Sequence, residues 1–343
     1  MKTKHLYIHI PFCKDICTYC NFYRRKEEDE KKIDAHIDKL VQQIKLMNNK
    51  FSTIYIGGGT PNYLSDKNLN YLLSSLEKNI SLETEFSIEC NPEFMTDSQA
   101  KILIRNKVNR ISIGAQSLNN DILKSLNRNH NVSNITDAID ILYKNGINNI
   151  SCDFIYNLPN MTLKDLDDIF EFIRNKNIKH ISFYSLELKE NSDLFNKEYK
   201  LDCEMDEIFF EAIKNKFIEI GYERYEISNW CISEKYYSQH NIAYWHLNDW
   251  AAIGDGAYGY EDKNYYFNNI DSCSFEKWDN VEIYKNSLIM GFRLIKGLNL
   301  DIQRNLDAYN YFRDEIKDLT CIKDNYLSAL NIDFLHDLLL KII

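Results

Sequence analysis

The sequence predicts an α/β protein built on a parallel β-sheet. Short apolar segments alternate with amphipathic segments of helical length, and six such strand–helix units precede residue 190. Special residues, either polar or glycine, stand where several of these strands end. Because function collects at the carboxyl ends of the strands in parallel α/β barrels, we expect these residues to share one site.

The alternating elements can be placed from their periodicity. The predicted strands are 6–10, 52–56, 86–90, 110–113, 149–154 and 179–186. The predicted helices are 27–47, 66–76, 97–106, 133–144 and 163–175.

The regular alternation of predicted strands and helices ends near residue 200. A helix at 205–220 and a strand at 222–227 lead into an aromatic-rich, irregular region at 230–266, and residues from about 280 onward are mostly helical. We therefore expect a strand–helix part at 1–200, an extension at 201–279 and a small helical domain at 280–343.

The amino-acid composition and charge of the chain argue against some classes of function. Of 343 residues, 44% are hydrophobic and 27% charged, which is ordinary for a globular protein. The net charge of −10 and the lack of a basic stretch argue against nucleic-acid binding, and no apolar run has the length of a membrane span. An odd cysteine count, with six cysteines scattered singly and no secretory leader, predicts a cytoplasmic protein.

Three cysteines stand close together after the first predicted strand. Cys13, Cys17 and Cys20 have the spacing C-x3-C-x2-C, with an aromatic residue before the third. Thiolates bind zinc, Cu(I) and iron–sulfur clusters, but a structural zinc site needs four protein ligands. Three ligands on a four-iron cluster would leave one iron open to an exogenous ligand. A zinc site completed from elsewhere and three unrelated thiols are the alternatives.

Other polar positions are weaker signals when taken singly. The glycine run at 57–59, followed by Thr60 and Pro61, lacks the features of a P-loop or a dinucleotide fingerprint, and alone it could be a tight turn. Glu89, Gln116, Arg128 and Asp153 could each have a structural role, and His240 could be a packed histidine. The side chains that would suit a flat conjugated partner are the Tyr and Trp residues of 230–266.

Together these motifs make the chain resemble the coproporphyrinogen III oxidase-like family of the radical S-adenosylmethionine (SAM) superfamily over nearly its whole length. The matching runs are LYIHIPFC at 6–13, GGGTP at 57–61, ECNP at 89–92, GAQS at 114–117, DFIY at 153–156 with LP at 158–159, YEISN at 225–229, and HN at 240–241 with YW at 244–245.

The resemblance implies an incomplete (β/α)6-type barrel with a mixed, mostly helical C-terminal extension. It implies a [4Fe–4S] cluster held by Cys13, Cys17 and Cys20, with SAM as its exchangeable ligand. Tyr7 would lie beside the cluster. The residues implied for SAM are Tyr7, Gly58, Gly59, Thr60, Glu89, Gln116, Arg128 and Asp153.

Two branches of the family must be separated. The oxidase branch decarboxylates propionates through a deoxyadenosyl radical, has a further Cys two positions after the third ligand, and has a longer segment ahead of the cluster loop. Here that position is Phe22, twelve residues precede Cys13, and the HNxxYW run is present, as in the haem chaperone branch. One departure is Tyr258, which stands where the family usually has His.

The resemblance therefore predicts a haem chaperone-like protein that binds haem, with His240 as the candidate haem contact. The alternative is an oxygen-independent coproporphyrinogen III oxidase, so enzymatic activity is left open. The implied partners are haem or a similar porphyrin, haem-accepting proteins and an electron donor. A homodimer is among the assemblies left open.

Overall fold

The chain forms one twelve-stranded sheet, a small second sheet and covering helices in a computed structural model that describes residues 3–269 and 271–343. The strands are β1 (His5–Ile10), β2 (Phe12–Cys13), β3 (Arg25–Lys26), β4 (Thr53–Gly58), β5 (Glu85–Cys90), β6 (Arg110–Gln116), β7 (Ile150–Tyr156), β8 (His180–Ser185), β9 (Glu223–Arg224), β10 (Asn229–Cys231), β11 (Trp250–Ile253), β12 (Ala257–Glu261), β13 (Asn264–Asn269), β14 (Ser272–Lys277), β15 (Leu298–Asn299), β16 (Thr320–Lys323) and β17 (Tyr326–Ala329).

Helices connect the parallel strands and form most of the C-terminal part. They are α1 (Glu30–Leu46), α2 (Asp66–Ser75), α3 (Asp97–Arg105), α4 (Asn120–Ser125), α5 (Val132–Lys144), α6 (Leu163–Asn175), α7 (Asp193–Asn196), α8 (Cys203–Glu219), α9 (Gln239–Trp245), α10 (Asn280–Gly291), α11 (Gln303–Ile316) and α12 (Leu335–Leu339). None of the described helices has both the length and the apolar character that crossing a membrane requires.

The large sheet has a parallel centre and antiparallel edges. Its order is β14-β13-β12-β11-β1-β4-β5-β6-β7-β8-β10-β9, and the seven strands from β11 to β8 are parallel. Within the described residues, no pairing of β14 with β9 closes the sheet. The predicted fold class, an incomplete parallel barrel of the α/β type, is confirmed.

The two faces of the parallel strands differ, as the two-residue period of a strand requires. On β6, Ile111 and Ile113 pack into the apolar core, which also contains the buried faces of the helices. Arg110 and Ser112 lie on the opposite face and line a cavity. The concave side of the sheet is therefore polar, while the side under the helices is apolar.

Side-chain caps explain most helix boundaries. Asp29 accepts a hydrogen bond from the backbone of Lys31 and begins α1, three residues later than the periodicity predicts. Thr162 and Asp165 form a reciprocal capping box at the start of α6.

The aromatic-rich region is more regular than its sequence predicts. It forms β10, α9, β11, β12 and the first half of β13, and its aromatic side chains build a separate core that includes Trp250, Tyr260 and Tyr266. β11 pairs in parallel with β1, on the side away from β4. Sequence periodicity missed β11 because all four of its residues are buried, so they show no alternation.

The C-terminal part has its own apolar core between α10, α11, α12 and a three-stranded sheet of order β15-β17-β16. The sequence predicts the helices here but not the sheet, because its strands have two to four residues. The turn between β16 and β17 has positive φ at Asp324 and Asn325, a pair that favours hairpin turns. The domain boundaries at 200 and 279 stay predictions.

A tight turn between β11 and β12 packs against β1. Gly254 has φ +96°, and a Cβ built there would lie 2.3 Å from the carbonyl oxygen of His9. Gly256 follows with φ +91°, against the ring of Tyr23. The turn thus contacts both ends of the segment that carries the three cysteines.

We expect Gly254→Ala to lower the free energy of unfolding by roughly 3 kcal/mol, because it combines left-handed strain with a backbone clash. Gly146→Ala is the matched control, since Gly146 has φ +88° but no atom within 4 Å of its built Cβ. The control should cost about 1 kcal/mol, the left-handed strain alone. Urea denaturation measures both, and equal losses would contradict the close packing of this turn.

Candidate functional site

A cavity of about 530 Å³ opens on the concave side of the sheet, at the carboxyl ends of the parallel strands. Ten of the twelve predicted site residues line it: Cys13, Cys17, Cys20, Gly58, Gly59, Thr60, Glu89, Gln116, Arg128 and Asp153. The structure therefore brings together residues that are up to 140 positions apart in the sequence.

Hydrogen bonds connect the backbone of the cysteine loop to neighbouring segments of the chain. The amide of Thr18 donates to the carbonyl of Leu126 at 3.1 Å, and the carbonyl of Thr18 accepts from the amide of Leu194 at 2.9 Å. The side chain of Asn127 donates to the carbonyl of Ile16 at 2.8 Å. These contacts hold the loop across the mouth of the cavity.

All three cysteines are free thiols. Cys13 is buried at the end of β2, and Thr60 donates to its sulfur at 3.6 Å. Burial raises the pKa of Cys13 to about 11 and also raises the pKa of Cys20. Binding of iron would have to release these protons, because the thiolate is the ligand. No group of three His, Cys, Asp or Glu side chains within the described residues is arranged to hold a single metal ion.

The glycine segment joins the loop to the sheet. The amide of Gly59 donates to the carbonyl of Ile10 at 2.7 Å, and that of Thr60 donates to the carbonyl of Phe12 at 2.8 Å. A Cβ at Gly58 would lie 2.6 Å from the ring of His9, and one at Gly59 would lie 2.7 Å from the oxygen of Phe12. Packing within the protein thus already requires these glycines, beyond any approach of a ligand.

Two carboxylates line the cavity, Glu89 on β5 and Asp153 on β7, with β6 between them. Glu89 accepts a hydrogen bond from the hydroxyl of Tyr55 at 2.8 Å and from the amide of Gly58 at 3.1 Å. Burial, together with the nearby Asp153 charge, raises the pKa of Glu89 to about 7. Asp153 accepts from the hydroxyl of Ser112 at 2.9 and 2.8 Å, and burial raises its pKa as well. This pair favours a cationic ligand, which would lower both pKa values.

Arg128 stands at the cysteine end of the cavity. Its guanidinium donates to the carbonyl of Gly114 at 2.7 Å, to the side chain of Asn91 at 2.9 Å and to the sulfur of Cys17 at 3.5 Å. Its buried Nε has no partner among the described residues. Gln116 ends β6 with φ +63°, at a register shift against β7. Arg128 is thus positioned beside the cysteines, with its Nε–H left for an anionic group.

Two predicted site residues lie outside the lining. Tyr7 donates to or accepts from the Nδ1 of His9 at 3.0 Å and packs beside the ring of Tyr55. His240 is 1% exposed, with Nδ1 2.7 Å from the hydroxyl of Thr53 and Nε2 2.8 Å from the hydroxyl of Tyr244. Burial lowers the pKa of His240 to about 3. In this conformation both of its ring nitrogens are already engaged.

Sequence reasoning missed other lining residues. Arg110, Ser112 and Ser182 occupy inner positions of β6 and β8, and Tyr55 lies on β4. The sequence contains part of the signal for these residues, because polar residues at every second position of an otherwise apolar strand indicate that they share one face of the sheet. This signal could not be told from an ordinary solvent-facing alternation without knowing that the sheet curves over a cavity.

Comparison with known proteins identifies the superfamily of this chain. The sequence profile of the radical SAM superfamily matches residues 7–173. The solved structure of coproporphyrinogen III oxidase (HemN) from Escherichia coli, described as a radical SAM enzyme, superposes with a TM-score of 0.84 at 17% identity. The match covers 99% of this chain and 90% of that one. The fold is that of a radical SAM protein.

Similarity to curated relatives identifies the family within this superfamily. The chain is 37% identical over 268 residues to the haem chaperone HemW of Lactococcus lactis, covering 76% of this chain and 70% of that protein. It is 31% identical over 270 residues to HemW of Bacillus subtilis, covering 75% and 71%. The chain belongs to the HemW family of the radical SAM superfamily.

The raised pKa of Glu89 predicts a pH dependence of stability. Its folded-state pKa of about 7 lies above the ordinary value of 4.5, so folding favours the protonated form. The resulting stabilisation is complete below pH 4.5 and is lost as the pH rises through about 7, by roughly 3 kcal/mol in total. In Glu89→Gln this pH-dependent loss of stability should disappear. The free energy of unfolding of the variant should therefore increase relative to that of the wild type between pH 5 and 8.

Urea denaturation at pH 5, 6, 7 and 8 measures the difference between the two proteins. Glu171→Gln, at an exposed position of α6, is the control and should follow the wild type at each pH. Parallel curves for Glu89→Gln and the wild type would contradict a buried, protonatable Glu89.

Proposed function

We propose that this protein is a haem-binding carrier of the radical SAM type. It holds a [4Fe–4S] cluster on Cys13, Cys17 and Cys20, binds SAM in the adjoining cavity and passes haem to haem proteins. The observation that carries the proposal is that three free thiols of one loop open into the same cavity as two half-buried carboxylates. Kinship to proteins named haem chaperone supports the haem part.

The donor set fits the cluster. Three thiols without a fourth protein ligand suit a four-iron cluster with one open iron, and Arg128 at 3.5 Å from Cys17 would stabilise thiolate charge. When bound and reduced, such a cluster supplies an electron to SAM. The chain's own contribution is to hold the thiols in place through the backbone contacts of the loop.

The cavity also fits SAM. SAM carries an ammonium, a sulfonium and two ribose hydroxyls, for which Glu89 and Asp153 offer acceptors. Its carboxylate needs a cation, and Arg128 has an unpartnered Nε at the cysteine end. Because burial raises the pKa of Glu89, binding of a cation there would favour its ionised form and release a proton from it.

The haem contact is a separate part of the proposal. His240 stays the predicted contact, but haem ligation would require it to give up Thr53 or Tyr244 and leave the core. Tyr258 is 49% exposed on β12, where its ring stacks on that of Tyr265 at 5.6 Å. The alternative function, oxidation of coproporphyrinogen III, draws on the same SAM cavity and does not need a haem contact.

One anaerobic experiment separates the two functions. Protein with a reconstituted, reduced cluster is given SAM with either haem or coproporphyrinogen III, and the haem Soret band, 5′-deoxyadenosine and decarboxylated product are followed. We expect a stable haem spectrum and no decarboxylation. Multiple turnovers of coproporphyrinogen III would overturn the carrier proposal in favour of the oxidase.

The same samples test the cluster ligands. Cys17→Ala should bring the iron content from about four per chain to near zero, because a cluster with two ligands is not retained. Cys203→Ala is the control, since Cys203 is exposed at the start of α8, and it should keep the full iron content. A Cys17→Ala protein with wild-type iron and colour would refute the ligand assignment.

A further inference from the structure

A buried cation in the cavity makes no direct hydrogen bond or ion pair with the part of the chain that the structure describes, although it interacts electrostatically with Asp153. Arg110, at the first position of β6, is 2% exposed and lines the cavity, yet its guanidinium forms no hydrogen bond or ion pair within the described residues. A charge removed from water without a compensating partner is costly. The position therefore favours an anionic group from outside the protein.

The other cations of the cavity lining are already engaged. Arg224 pairs with Asp333 at 2.6 Å, Lys189 pairs with Glu187, and Arg24 donates to two carbonyls of the cysteine loop. Arg128 makes the three contacts described above. Among the cations that the structure places in this lining, Arg110 alone has its whole guanidinium available.

A second unpartnered group lies beside Arg110. Ser87 on β5 is directly across from Arg110 in the strand register, on the same inner face as Glu89. Its hydroxyl is fully buried and has no hydrogen-bond partner in the described part of the chain. Ser87 does not line the cavity, so the receptor that the cavity offers to a carboxylate is the guanidinium of Arg110.

Arg110 is too deep to serve the same acid group as Arg128. Arg128 binds the carbonyl of Gly114, four residues further along β6, which is about 13 Å at the usual rise of a strand. The cysteines lie at the Arg128 end. A carboxylate bound beside the cysteines would thus pair with Arg128. Arg110 is therefore available to bind a different carboxylate.

We propose that Arg110 binds a carboxylate arm of a second ligand that occupies the cavity beside SAM. The inference rests on the proposed function, since haem and coproporphyrinogen both carry propionate carboxylates. Phe210, Ile227 and Trp230 line the same cavity and offer apolar contacts to the rest of such a ligand. The inference adds a specificity residue that the motifs of the family resemblance do not include.

The test compares haem with haem dimethyl ester, which has the same macrocycle without free carboxylates. Binding is followed by the Soret band in the wild type, Arg110→Gln and Arg110→Lys, and SAM affinity is measured in the same proteins by calorimetry. Arg174→Gln is the matched control, because Arg174 is exposed on α6 and does not line the cavity. Melting temperatures show whether each variant is folded.

We expect Arg110→Gln to weaken haem binding tenfold or more, the loss typical of a charge-assisted hydrogen bond, while the ester and SAM bind as to the wild type. Arg110→Lys should recover part of the affinity, and Arg174→Gln should match the wild type. Haem binding unchanged in folded Arg110→Gln would overturn the inference and leave the proposed function intact.

Two further outcomes would also overturn the inference. A loss of SAM affinity without a loss of haem affinity would show that Arg110 receives the carboxylate of SAM itself. A wild-type protein that binds SAM but neither haem nor its ester would refute the haem part of the proposed function along with the receptor.

Discussion

Two backbone hydrogen bonds, from Gly59 to Ile10 and from Thr60 to Phe12, determine where the cysteine loop meets the glycine segment. They extend the pairing of β1 with β4 past the end of the sheet and set the start of the cysteine loop against the glycine segment. The glycines are needed because a side chain at Gly58 or Gly59 would clash with His9 or Phe12. With this junction in place, Cys13 lies beside Thr60 and the loop closes over the cavity.

The polar concave face follows from the same geometry. Parallel strands place alternate residues on the inner face, and here those positions carry Glu89, Arg110, Ser112 and Asp153 instead of the apolar residues of a filled barrel. Burial raises the pKa of Glu89 to about 7 and also that of Asp153, so part of the carboxylate charge is removed in the free protein. A cationic ligand and an anionic one can each find an unsatisfied partner in this cavity.

The sequence predicts the parallel fold and ten of the cavity residues because both depend on local patterns. Periodicity identifies the strands, and the short motifs fall at the strand ends, where a parallel sheet gathers them. That Tyr7 and His240 lie outside this lining could not be predicted in this way, because it depends on contacts made in the fold, with Tyr55 for Tyr7 and with Thr53 for His240. The same holds for Arg110, whose lack of a direct hydrogen-bond or ion-pair partner among the described residues is a property of the folded cavity and not of its neighbours in the chain.

The central claim is that the three thiols hold a cluster whose open iron faces the SAM cavity. Electron paramagnetic resonance of the reduced, reconstituted protein tests this most directly, with and without SAM. The account predicts that SAM changes the spectrum of the [4Fe–4S] cluster, because the ligand and the cluster share one cavity. Identical spectra at SAM concentrations that saturate the protein in a separate binding measurement would contradict it.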